Sequence, residues 1–252
     1  MCDKIYAYKE GESYQDLIDH SIGSLEVMER QGFQKYLGDS YFAVVSRRLS
    51  DNLGERIEPG TVKKIMRTLV LMHDIGKAEK SIQQMANKST RLSFKYHEVF
   101  GAIYFYNLSA FDNLTEKLEA NLVLRKLAVL SVWNHLNALR NLDDSLRNFP
   151  IPNNRKIELR EYGTKIVEEI RQRDIKDILP LDTPRDYDRE DFEEMTRFSL
   201  IEGKDLREVS KLYSFFLSPI VISDSMNSCE NRRDDKSDCC KKIFLKPFCG
   251  DE

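Results

Sequence analysis

Turn formers are scarce in this chain: 11 Gly and 7 Pro among 252 residues, about 7% where an average protein carries roughly 12%. So few breakpoints exclude a β-sandwich, a propeller or a low-complexity chain, and the segments between them have a helical period. Leu17, Ile18, Ile22, Leu25 and Met28 recur at helix spacing. Ser13 with Asp16 predicts a capping-box start for that helix, which runs to about Gln31. Further helices are predicted over Ser40–Asn52, ending near Gly54, and from Thr61 to His73-Asp74, where Gly76 closes the chain's turn. The next run from Tyr96 to Tyr106, from Thr115 to about Leu139, and from Lys156 to Arg173. After a surface loop over Leu179–Arg189 come Asp191–Leu200, Lys204–Leu217 and a last helix opened by Pro219. Asn141–Asn154 reads as turn, and no strand alternation or internal repeat is evident. The expected fold class is all-α: one helical bundle over residues 1–228 with a metal site in its core, then a loose, Cys-containing polar tail over 229–252. A chain this long buries a core without needing disulfides or a partner.

Charged residues make up 32% of the chain, above the usual ~25% and suited to solvated helix faces. No stretch approaches the about 20 apolar residues of a membrane span, so no membrane partner is expected. Met1–Lys4 leads into Tyr and Glu rather than an apolar leader core. Of five cysteines, Cys229, Cys239, Cys240 and Cys249 fall in the tail. An odd count without a leader points to a reducing, cytoplasmic setting. Their spacing is not CxxC, so free thiols are expected, with a disulfide or a zinc as the alternatives. The net charge of −3 does not mark a nucleic-acid binder, but Lys77, Lys80, Lys88, Arg91 and Lys95 share their segment with Glu79 as its only acid. With Phe94 and Tyr96 that run is suited to a phosphate backbone and to base stacking; a solvated loop is the plainer reading. No GxxxxGK[ST] element is present, so the chain cannot drive unwinding itself.

The four histidines, His20, His73, His97 and His135, each fall on a separate predicted helix or at its end. Bundles build core metal sites from such dispersed ligands. Within His73-Asp74-Ile75-Gly76-Lys77, adjacent side chains at a helix end point about 100° apart and can address one site from two sides. A carboxylate has two oxygens and can bridge, whereas an imidazole offers one free nitrogen. Asp74 is therefore the natural centre of a dinuclear site, and Lys77 can turn back toward a phosphate. Taken singly, His20 would be an ordinary hydrogen-bonded core histidine, and Asp224 a cap or the partner of an Arg.

In order, Asp19-His20-Ser21, His73-Asp74-Ile75-Gly76-Lys77, Tyr96-His97-Glu98, Asn134-His135 and Ser223-Asp224-Ser225-Met226-Asn227-Ser228 resemble the HD-superfamily metal-dependent phosphohydrolases. Within that superfamily they resemble the stand-alone HD nuclease of the type I CRISPR interference helicase–nuclease. The resemblance implies one ion held by His20, His73, Asp74 and Asp224, and a second by Asp74, His97 and His135 with Asn134. Two departures stand out: Asn134 replaces a family histidine and is a weaker ligand, and Ser225 replaces a frequent Arg. The implied ions are manganese, nickel, cobalt or iron, one or two per chain, with magnesium admitted. The implied activity is hydrolysis of phosphodiester bonds in DNA, chiefly single-stranded, for antiviral defence; duplex DNA and RNA stay open. Asp74 and Lys77 would be catalytic, and Lys77, Lys80, Lys88, Arg91 and Lys95 would hold substrate. A separate helicase and a guide-RNA surveillance complex would be the partners. Two other readings remain: a phosphohydrolase of nucleotides or cyclic nucleotides, and a weakened HD scaffold that recruits a helicase, which the Asn134 departure keeps open.

Overall fold

The computed structural model describes residues 4–86, 88–136, 156–200 and 212–232. The expected turn at Asn141–Asn154, most of the helix expected over Lys204–Leu217, and Cys239, Cys240 and Cys249 lie outside them.

The chain begins with a feature the sequence reading lacked, an antiparallel hairpin of β1 (Tyr6–Glu10) and β2 (Ser13–Asp16) turning through Gly11 at φ 61°. Ile5 and Ala7 face the core while Tyr6 and Tyr8 alternate outward. Ser13 therefore belongs to a strand, and the first helix, α1 (Leu17–Glu29), is capped by Asp16, whose side chain accepts from the Ile18 amide at 2.9 Å. A short α2 (Gln31–Leu37) precedes α3 (Asp39–Leu53), which ends on Gly54 in the left-handed region, as the residue type requires.

The helix α4 (Pro59–Met72) is the axis of the bundle, with α1 and α3 packed on it. Its last five residues, Thr68 to Met72, are buried all round, the mark of a helix with no solvated face. It starts at Pro59 rather than at Thr61, since the ring fixes a helical φ and its missing N–H costs nothing in the first turn. A 3-10 turn (Ile75–Ala78) and α5 (Lys80–Met85) lead to α6 (His97–Tyr106). Then α7 (Leu118–Asn134) packs along α6. It begins after Thr115, which turns its amide and hydroxyl onto Asn121 Oδ1.

The bundle continues with α8 (Arg160–Gln172), α9 (Arg189–Leu200) and α10 (Tyr213–Arg232), the last packing on α1, α4 and α7. Pro219 lies inside α10 and does not open it. The helix passes through because the Phe215 carbonyl, which Pro219 cannot serve, accepts the Tyr41 hydroxyl at 2.7 Å. α10 also runs past residue 228, where the tail was expected to begin. Cys229, expected as a free thiol, is buried on this helix and disulfide-bonded, with its partner outside the described residues.

Candidate metal centre

Five helices and the 3-10 turn deliver side chains to one buried point. His20 comes from the core face of α1, His73 caps the C-terminus of α4, and Asp74 follows it into the 3-10 turn. His97 opens α6, His135 caps α7, and Asp224 lies in α10. His20 and His73 are 0% exposed and Asp74 is 1% exposed.

The two oxygens of Asp74 face different partners. On the Oδ2 side, His20 Nε2 lies at 3.1 Å and His73 Nε2 at 3.5 Å. Asp224 Oδ1 closes this group, 3.2 Å from His20 Nε2 and 3.9 Å from His73 Nε2. On the Oδ1 side, His97 Nε2 lies at 3.0 Å and His135 Nε2 at 3.6 Å. Within each group the potential ligand atoms lie within 4.8 Å of one another.

Three of the imidazoles are oriented by their own chain. Nδ1 of His73 faces the Val70 carbonyl at 2.8 Å, that of His97 the Phe94 carbonyl at 2.6 Å, and that of His135 the Val132 carbonyl at 2.5 Å. A carbonyl only accepts, so Nδ1 carries the proton and Nε2 presents its lone pair inward. His20 differs: its Nδ1 lies 3.1 Å from the Asn227 side-chain amide, whose nitrogen also reaches the His20 carbonyl at 2.7 Å and Ser24 Oγ at 3.1 Å. All four Nε2 atoms are buried without a hydrogen-bond partner. Buried polar atoms in folded proteins are as a rule satisfied; other side chains here also carry a buried orphan atom, but four imidazole nitrogens converging on two carboxylates fit a divalent transition metal.

Electrostatics hold the carboxylates ionised. Burial alone would raise Asp74, but the Lys77 ammonium and the surrounding imidazoles hold it well below the usual carboxylate range. Asp224 is likewise held low, by His20 and His73, against burial. Lys77 Nζ lies 2.5 Å from Asp74 Oδ2 and 5.3 Å from the Phe94 ring centroid. The other cations of its segment are placed elsewhere: Lys80 faces Glu158 and Glu161 at 3.5 and 3.3 Å, and Arg91 faces Glu10 at 3.8 Å. Lys88 and Lys95 are exposed. Asn134 is buried beside His135, its amide donating to the Leu130 carbonyl at 2.8 Å.

Gly76 does not act by turning the chain, since its φ is not positive. It acts by clearance: a Cβ there would stand 2.0 Å from the His97 carbonyl oxygen, so only glycine lets the Asp74 turn lie against α6. Sequence reading assigned no role to Asn227 or to Gly23, where a Cβ would come within 2.6 Å of Asn227 Oδ1. A glycine inside an apolar helix, one turn past a candidate ligand, is the signal for such a close approach.

No protein-family model matches the chain. Among curated proteins it is 33% identical over 223 residues to the CRISPR-associated endonuclease Cas3-HD of Saccharolobus solfataricus, covering 85% of each chain. Among solved structures it is similar to the CRISPR-associated Cas3 HD domain protein of Methanocaldococcus jannaschii, at 18% identity and a TM-score of 0.36, covering 93% of this chain and 95% of that one.

Proposed function

The chain belongs to the Cas3-HD family of CRISPR-associated endonucleases, and on that footing we propose that it hydrolyses phosphodiester bonds of single-stranded DNA at a two-ion centre built on Asp74. The observation that carries this reading is the division of the Asp74 oxygens between two sets of imidazoles. His20, His73, Asp74 and Asp224 would hold one ion, and Asp74, His97 and His135, with Asn134 beside them, the other. Manganese, nickel, cobalt and iron suit this mixed imidazole and carboxylate set, and magnesium with added waters is admitted. When bound, two such ions supply an activated water and stabilise both the attacking and the leaving oxygen of a phosphodiester.

The residues of the chain do the rest. Asp74 enters the reaction ionised because Lys77 and the imidazoles favour its charged form. His73, His97 and His135 are held in the ligating tautomer by main-chain carbonyls. Lys77 supplies a cation at the edge of the centre, where it offsets charge that develops on the phosphate oxygens. Burial of these groups strengthens each of the interactions.

No described helix is long and apolar enough to cross a membrane. Membership of the family supports a helicase that would open the strand and a guide-RNA surveillance complex that would deliver it, in the cytoplasm. The nuclease domain would run through α10 to Arg232, past the expected boundary at 228, with the residues beyond it as an appended tail. The test is cleavage of labelled single-stranded and duplex DNA in EDTA, magnesium, manganese, cobalt and nickel, with Asp74→Ala as control. Metal-dependent cutting of single strands that disappears in the control is expected. Turnover of nucleotides without cutting of polynucleotide would overturn the reading in favour of a nucleotide phosphohydrolase. Folded, metal-loaded protein with no turnover would favour the helicase-recruiting scaffold.

A further inference from the structure

We propose that the N-terminal hairpin is the platform on which the substrate strand rests, with bases stacked on Tyr14 and Tyr6 and the strand led past Phe94 to Lys77. The inference rests on the nuclease reading and adds where the strand lies. The sequence reading placed substrate on the basic run with Phe94 and Tyr96; the structure joins that run to the hairpin.

Tyr14 stands 49% exposed, a large ring left in water. Tyr6 meets it edge to face with centroids 5.8 Å apart. Each ring has an ammonium over it: Lys4 Nζ lies 4.0 Å from the Tyr14 centroid and Lys9 Nζ 5.5 Å from that of Tyr6. Aromatic rings interleaved with cations are what single-strand binders use, the rings taking base faces and the cations the backbone. Glu10, the acid on β1, is occupied by the Tyr8 hydroxyl and Arg91.

The hairpin is also fixed in register with the metal centre. The Gln83 side chain accepts from the Tyr6 amide at 2.9 Å, donates to the Tyr6 carbonyl at 3.0 Å, and donates to the Lys77 carbonyl at 2.6 Å. Gly11 donates to Thr90 at 2.6 Å and Leu92 to Lys9 at 3.1 Å, so the hairpin and the basic segment are stitched along their length. Tyr6 and Phe94 both pack on the small cluster of Ile82, Ala86 and Leu92, and Phe94 in turn has Lys77 over its ring. Tyr14, Tyr6, Phe94 and Lys77 thus form a path from open surface to Asp74. A duplex keeps its base faces stacked inside, so such a path suits a single strand and tolerates any sequence.

The test uses the full chain in EDTA, where binding proceeds without cutting, and follows fluorescence anisotropy of a labelled oligothymidylate. Tyr14→Ala is expected to raise its Kd about tenfold, and Tyr6→Ala with Tyr14→Ala further, while Tyr14→Phe keeps the ring and stays near wild type. Hydrolysis of bis(p-nitrophenyl) phosphate with manganese, which needs no stacked bases, is expected to be unchanged in all three. Wild-type affinity in the alanine variants overturns the platform and leaves the nuclease reading standing. A wild-type protein that hydrolyses the small diester yet binds no oligonucleotide overturns the platform and, with it, the polynucleotide substrate of the nuclease reading. A wild type that does neither overturns both readings together.

Discussion

The two sides of Asp74 are built differently. The Oδ2 side draws on opposite ends of the chain, bringing His20 of α1 and Asp224 of α10 against His73, and it contains a second carboxylate. The Oδ1 side is assembled from the facing ends of α6 and α7, which pack on each other, and it adds only two neutral imidazoles. A dication on the first side meets the charge of Asp224 and a share of that of Asp74, whereas one on the second meets a share of Asp74 alone. The first group is therefore expected to bind its ion more tightly, and the second to depend on substrate phosphate for completion. The route of assembly differs as well: the first group is complete only once the two ends of the bundle have closed.

Removing the element common to both sides gives the largest effect. Asp74→Asn is expected to strip the chain of bound manganese, one or two ions per chain in the wild type by plasma emission spectrometry, and to abolish cutting. It also leaves the buried Lys77 ammonium without its carboxylate, which costs about 3–5 kcal/mol when such a pair is broken. Retention of one tightly bound ion in this variant would show that the sides do not share Asp74.

The two glycines separate the sides from each other. Gly76→Ala sets a methyl against the main-chain carbonyl of His97, which cannot swing away. It is expected to open the Oδ1 side, losing the second ion first and destabilising by about 1–3 kcal/mol. Gly23→Ala meets the side chain of Asn227 instead, so it is expected to loosen His20 against Asp224 and weaken the first ion, with a smaller loss of stability. Calorimetric titration with manganese distinguishes the two, and equal losses at both sites in both variants would mean that the sides are mechanically one unit.

Asn134 offers the opposite manipulation, strengthening the weaker side. Its amide is spent on the Leu130 carbonyl, one residue before His135. Asn134→His is expected to tighten the second ion about tenfold, or about 1.4 kcal/mol, and to leave the first unchanged. An unaltered second affinity would place residue 134 in a structural role.

Much of this centre was legible in the sequence through the order of motifs that carries the family resemblance, and several candidate ligands sit at helix starts and ends, which carry strong local signals. His73-Asp74 after an apolar run, His97 after Tyr96, and His135 at the end of α7 could be assigned to elements to within a few residues. The hairpin was not legible: strands of five and four residues are too short for alternation to stand out, and Ser13-Asp16 mimics a helix cap. Nor was the continuous α10, since Pro219 reads as a break and its rescue depends on Tyr41, far away in sequence. The same holds for Asn227, whose partners His20 and Ser24 lie at the other end of the chain. Local chemistry was readable, and of the features made by long-range closure the grouping of His20 with Asp224 was reached only through the family resemblance.

The smallest effect is a difference in the pH response of the metal-free protein. Burial by itself lowers His20, but the Asp224 and Asp74 carboxylates outweigh it and hold the imidazole above its usual 6.5. His97 is lowered below 6.5, because there burial outweighs the pull of Asp74. A raised histidine gives stability that is complete below 6.5 and is lost as pH rises through the folded value. A lowered one works the other way, costing stability as pH falls from 6.5 toward its folded value. Melting curves in EDTA between about pH 5 and 8.5 test both windows. His20→Gln is expected to remove a falling component above 6.5, so its Tm climbs relative to wild type as pH rises there. His97→Gln is expected to remove a rising component below 6.5, so its profile flattens there. The opposite signs follow from the balance at each ring: Asp224 and Asp74 together outweigh burial at His20, whereas at His97 burial, with Lys77 and His135, outweighs Asp74, although Glu98 Oε2 lies 3.5 Å from its Nδ1. If both variants run parallel to wild type, the two sides of Asp74 do not differ in charge in the way their geometry implies.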